Sequence, residues 1–190
     1  AYQKQFKVAP VEGLPKFDGG LVGYFGYDVV RYVEKRLAQS CPEDDIGNPD
    51  ILLMQSEEVM VFDNLSGKLF FIVVADPGEP NAYAKAQRRI TLMRGQLRRA
   101  YQGPIGQPLI KPREVAETDF VSGYGEEAFK KSVADIKNYV LAGDIMQCVI
   151  SQRLSVDFNA EPLNLYRALR TLNPSPYMYF MDLGDHHVVG

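Results

Sequence analysis

Cysteine is scarce in this sequence: Cys41 and Cys148 are the two in 190 residues. They lie far apart and form no C-x-x-C, which excludes a disulfide framework and a cysteine-based zinc site and suits a reducing cytoplasm. Positive charge is not in excess either. The formal net charge of -3 argues against nucleic acid as a main partner, because phosphate binding depends on a basic surface. No apolar run approaches a membrane span, and the opening AYQKQFKVAP lacks the charged-then-apolar layout of a signal peptide. Internal repeats and low-complexity tracts are missing. So are the standard catalytic motifs: none arranges Ser, His and Asp, or Cys and His, for nucleophilic catalysis.

What remains is globular. A hydrophobic content of 46% with 24% charge, over this length, is enough for a real core in one domain or one domain and part of another. The first residue is Ala, and the last residues, HHVVG, stop as a β-branched run begins. The expectation is a piece of a longer chain.

Along the chain, GGLVGYFGYDVVRYVEKRL reads as a strand that turns helical from about Asp28. Gly20, Gly23 and Gly26 lie inside the strand pattern, not after it, so close backbone packing is preferred to a phosphate cradle. ILLMQSEEVMVFDN and KLFFIVVAD read as two strands joined by the turn-rich DNLSGK. NAYAKAQRRITLMRGQLRRAY reads as a helix with Tyr83, Ala86, Ile90, Met93, Leu97 and Tyr101 on one stripe. Lys85, Arg88, Arg89, Arg98 and Arg99 crowd the other side, which reads as a solvated face. The Pro- and Gly-rich stretch from Gln102 to Gly125 reads as a connector.

The second half alternates helices and strands. GEEAFKKSVADIKNYVLAGD is a helix with Glu126 and Glu127 in its first turn and Gly143 at its end. DIMQCVISQRLSVDF alternates as a strand, with Met146, Cys148 and Ile150 on a core face. EPLNLYRALRTLN is a short helix with Leu165, Leu169 and Leu172 on one side. SPYMYFMDL and HHVVG form a hairpin. Hairpins interrupted by helices give an α+β, layered fold with a largely antiparallel sheet.

Candidate chemistry is sparse. Asp182, Asp185, His186 and His187 suggest a polar hairpin tip instead of a metal site, since adjacent strand residues face opposite ways. Glu57 and Glu58 fail as a carboxylate pair for the same reason. Gln147 is an amide in an apolar strand; it is satisfied by backbone or by a ligand. In NPSPYM, Pro174 and Pro176 stiffen the backbone, so Tyr177 and Met178 can present an aromatic face and a thioether at low entropic cost. From backbone physics alone this is first a strand entrance.

GDIMQCVISQRLS and LYRALRTLNPSPYMYFMDLG, with GGLVGYFGYDVVRYVEKRL upstream, resemble anthranilate synthase component I, a family of chorismate-utilising enzymes. The resemblance runs through essentially the whole chain in the family's order. It implies the family's two-lobe fold, with residues 1–112 in the N-terminal lobe and 113–190 opening the chorismate-binding domain. It further implies conversion of chorismate and ammonia to anthranilate and pyruvate, with magnesium as cofactor. The ammonia is drawn from glutamine by an amidotransferase subunit, component II, and tryptophan acts as feedback inhibitor.

The family's Gly-Thr-Arg loop, catalytic His, magnesium-binding glutamates and Leu-Leu-Glu-Ser motif have no counterpart in these residues. The chain alone is therefore expected to be inactive. Carried over by position, Gln147 stands where water-adding relatives have a general-base lysine, and is implied as a catalytic-pocket residue. Pro176, Tyr177 and Met178 match the tryptophan-contacting Pro-Tyr-Met. The alternatives are aminodeoxychorismate synthase component I, of the folate pathway, and a non-catalytic amino-acid-sensing module.

Overall fold

The computed structural model describes residues 2–100 and 114–190. The chain divides into two units, Ala1–Ile105 and Gly106–Gly190, each considered by itself. The expected boundary after residue 112, Tyr101 and the first part of the connector lie outside the described residues.

In the first unit, β1 (Gly20–Phe25) pairs antiparallel with β2 (Ile51–Ser56), from Gly20 opposite Ser56 to Phe25 opposite Ile51. Gly23 shows why the pattern carries glycine. It faces Leu53, and a Cβ there would drive into the Leu52 carbonyl oxygen. Gly26 then donates its N–H to the Asp50 carbonyl at 2.7 Å, closing the end of the pair. Gly23 and Gly26 thus serve close backbone approach, as their placement within the strand implied, whereas Gly20 has no backbone atom close to where a Cβ would stand and instead takes φ +132°.

The helix expected from Asp28 is short. A 3-10 turn (Tyr27–Val29) leads into α1 (Val30–Val33), which ends where Glu34 turns extended, at φ -95° and ψ 97°. The Glu34 side chain then accepts from the Arg36 N–H at the start of a further 3-10 turn.

The expected long strand 51–64 is two strands. Pairing changes at Glu57: β2 serves β1, while β3 (Glu58–Asp63) forms a hairpin with β4 (Lys68–Val73). Its turn is fixed by the Asp63 carboxylate, which accepts from the Leu65 and Ser66 N–H groups at 3.0 Å each, and by Gly67 at φ +65°. This side-chain capping favours the charged form and holds the Asp63 carboxyl below its ordinary range, the Ser66 hydroxyl contributing most.

α2 (Ala82–Ala100) packs on β4 and buries Met93, with Ala86 and Ile90 half-buried beside it. Tyr83, placed on the same stripe by sequence, is exposed. Arg89 turns toward the sheet instead, where its Nε donates to Glu58 at 2.5 Å.

In the second unit, α3 (Glu126–Ala142) ends as expected, at Gly143 in the left-handed conformation (φ +83°). β5 (Val121–Ser122) pairs with β6 (Leu154–Ser155), and α4 (Pro162–Leu172) begins with its proline in the first turn. β7 (Phe180–Asp182) and β8 (His187–Val189) form the expected hairpin. The strand expected over 144–158 is formed at two residues alone. Only Leu154 and Ser155 find a partner in β5, and Met146, at 97% exposure, and Cys148 lie on the surface instead of a core face. A strand exists only while its backbone is paired, and alternation alone cannot supply a partner.

The architecture is α+β. In place of one antiparallel sheet, the described residues form four two-stranded antiparallel sheets. Gly23→Ala is expected to cost about 1–3 kcal/mol by forcing β2 away from β1. Thermal unfolding checks this, and an unchanged midpoint would show that the β1–β2 approach is not tight.

Candidate functional site

α4 sets up the segment that sequence singled out. The Asn173 N–H still donates to the Leu169 carbonyl at 2.8 Å. Asn173 itself leaves helical geometry, at φ -140°, because the following Pro174 disfavours the helical region for its predecessor. Two residues on, the Ser175 hydroxyl accepts from the Tyr177 N–H at 3.4 Å, so Pro176 and Tyr177 form a turn that reverses the chain into β7.

The hairpin extends one pair beyond β7 and β8. The Tyr179 N–H donates to the Gly190 carbonyl at 2.8 Å, and Gly190 returns the bond at 3.1 Å. Tyr179 lies across Gly190, where a Cβ would come 2.5 Å from the phenolic oxygen. Side chains alternate along this extended stretch. Phe180 turns to α4, its ring centroid 6.1 Å from Tyr166 and 5.4 Å from the His187 ring. Met178 is half-buried, Tyr179 is exposed, and Tyr177 stands 87% exposed in the turn. The inward stripe of α4 is thus Tyr166 and Leu169; Leu165 and Leu172, expected there, are exposed.

The turn of the hairpin is polar. Gly184, at φ +93°, donates its N–H to the Asp182 carboxylate at 3.1 Å. His186 Nδ1 lies 2.6 Å from Asp185 and His187 Nε2 lies 3.5 Å from Asp182. The His186 hydrogen bond favours the charged carboxylate and holds Asp185 below its ordinary range. These four residues are engaged with one another in pairs. Among the described residues no group of three or more His, Cys, Asp or Glu is placed to hold a metal ion.

Gln147 sits on a different segment, the irregular stretch between α3 and β6, and is exposed. Pro176, Tyr177 and Met178 are contiguous at the entrance to β7. What this arrangement offers is a rigid aromatic surface, with no acid–base or nucleophilic machinery of its own. Two positioning groups went unread in the sequence: the Ser175 hydroxyl under Tyr177, and Tyr179 over Gly190. The Tyr-Met-Tyr alternation was the available signal for the second.

Comparison with known proteins places these elements in context. A family profile described as chorismate binding enzyme matches residues 1–190. Anthranilate synthase component 1 of Pseudomonas putida is 53% identical over 190 residues, all of this chain and 38% of that protein. The corresponding protein of Neisseria meningitidis serogroup B is 48% identical over 193 residues, again 38% of its length. The crystal structure of anthranilate synthase component I from Streptococcus pneumoniae superposes with a TM-score of 0.75 at 32% identity, covering 97% of this chain and 40% of that one. The chain thus spans well under half the length of the relatives it matches.

Tyr177→Ala is expected to shift stability by no more than about 0.5 kcal/mol, because its ring is exposed. Phe180→Ala should cost about 1–2 kcal/mol, less than for a fully buried Phe. Paired thermal melts check this, and equal destabilisation would show that Tyr177 serves packing.

Proposed function

The chain belongs to the chorismate-binding enzymes, and from that premise we propose that it forms part of an anthranilate synthase component 1. The observation that carries this reading is the 53% identity to the Pseudomonas putida protein, sustained over all 190 residues. In the proposed reaction ammonia adds to the chorismate ring as the hydroxyl leaves. Pyruvate is then eliminated, and anthranilate remains. The ammonia comes from glutamine through a partner amidotransferase, component II, to which the designation "component 1" of the relatives lends support. A cytoplasmic setting suits the free thiols of Cys41 and Cys148. Among the described residues no helix is long and apolar enough to cross a membrane.

Gln147 is proposed as a pocket residue. Its amide cannot take a proton from water, which fits a reaction whose nucleophile is already ammonia. Magnesium belongs to the same proposal as a requirement of the whole enzyme.

Pro176, Tyr177 and Met178 are proposed to contact tryptophan as feedback inhibitor. Exposure of Tyr177 on a turn stiffened by two prolines supports this, since a preorganised aromatic surface loses little entropy on binding. Inhibition then requires tryptophan to bind one conformational state better than another.

The full-length protein, given chorismate and ammonium, is expected to release anthranilate and pyruvate in equal amounts, followed by anthranilate fluorescence. Accumulation of aminodeoxychorismate instead would move the chain to the folate-pathway relative. In the same assay Gln147→Ala should lower kcat/KM about tenfold or more; unchanged kinetics would remove it from the site. Calorimetric titration with tryptophan should show affinity at least about tenfold weaker for Met178→Thr. Equal affinity would leave the regulatory assignment without support.

A further inference from the structure

We propose that the basic face of α2 is a self-association surface that receives the acidic loop Glu43–Asp50 of a second copy of this chain. The inference is independent of the reaction proposed above. α2 carries Lys85, Arg88, Arg89, Arg94, Arg98 and Arg99 and no acidic residue, although the whole chain has a net charge of -3. One open face of the helix and its N-terminal flank presents Asn81, Ala84, Lys85, Arg88, Arg89 and Leu92. Lys85 is tied to Glu79 at 2.9 Å and Arg89 to Glu58 at 2.5 Å. Arg88 forms no ion pair among the described residues and is exposed. That face therefore offers an apolar strip, Ala84 and Leu92, flanked by positive charge.

The loop has the complementary design. Glu43, Asp44, Asp45 and Asp50 supply four carboxylates in eight residues, with no basic residue between them. The Asp44 carboxylate accepts from the Ile46 and Gly47 N–H groups at 3.0 Å each, and Gly47 takes φ +72°, fixing a turn. At the far end the Tyr32 hydroxyl donates to Asp50 at 2.5 Å. Ile46, 56% exposed, is the apolar side chain that this turn presents, with carboxylates on either side. An apolar anchor between acids thus meets an apolar strip between cations.

A nucleic acid fits less well, because the overall negative charge repels it and Ala84 and Leu92 give phosphates nothing to bind. Loop and helix face belong to the same unit, so two copies can exchange both contacts about a two-fold axis. Such a small, charged contact gives weak association that salt suppresses.

Sedimentation of the full-length protein over a concentration series tests this. Dimerisation is expected at about 50 mM salt and its loss at about 0.5 M. Arg88→Glu alone and Glu43→Lys alone should each weaken the dimer about tenfold or more, with unchanged circular dichroism. An equimolar mixture of the two variants should restore it, since one contact is then native and the other has both charges swapped. A protein monomeric throughout, an Arg88→Glu variant that associates like the parent, or a mixture that stays dissociated would each overturn the proposal. So would an Arg88→Glu variant that loses only the binding of RNA or of an acidic protein.

Discussion

A β-strand persists only while its backbone donors and acceptors are paired, and in this chain every described strand has one paired edge. That constraint decides which segments become sheet. β3 and β4 find each other through a tight turn, as do β7 and β8. β5 and β6 meet over two residues, and the chain from 144 to 153, alternating as it is, gains no partner. Helices escape the constraint because their hydrogen bonds are internal. α3 and α4 form along nearly their full expected length even though Val140 and Leu172, on their apolar sides, remain exposed.

The same asymmetry explains what the sequence made legible. Gly143 and Pro162 mark helix ends through local backbone chemistry, and the structure agrees at both. The turns at Asp63–Gly67 and Asp182–Gly184 were equally local. What failed depended on distant residues. The switch of pairing at Glu57 follows from β1, some thirty residues upstream by the observed register, and nothing in ILLMQSEEVMVFDN announces it. The inward turn of Arg89 was hidden because its partner, Glu58, lies on another element. Periodicity assigned Arg89 to the outer face; an ion pair holds it toward the sheet.

At the site, the rigidity of NPSPYM was readable from its prolines, and the turn at Pro176 and Tyr177 follows from it. The use proposed for it was not readable from physics, which favoured a strand entrance; only the family resemblance suggests a ligand. Gln147 depended on resemblance still more, because an exposed amide in an irregular stretch has no local signature of function. Alternation along Met178–Phe180 adds a distinction that sequence position concealed. The Phe180 ring packs against Tyr166 of α4, whereas the Tyr177 ring stands exposed.

The register of the sheets also sets an order of events in folding. β3–β4 and β7–β8 close over a few residues, so their entropic cost is small and they can form within microseconds. β1 and β2 must close the whole excursion from Gly26 to Asp50 before Phe25 meets Ile51, and the loop entropy falls due before any pair rewards it. Gly23 and the Leu52 carbonyl therefore come together late in the first unit. A residue chosen for the closeness of two backbones is tested only after the hairpin beside them already stands.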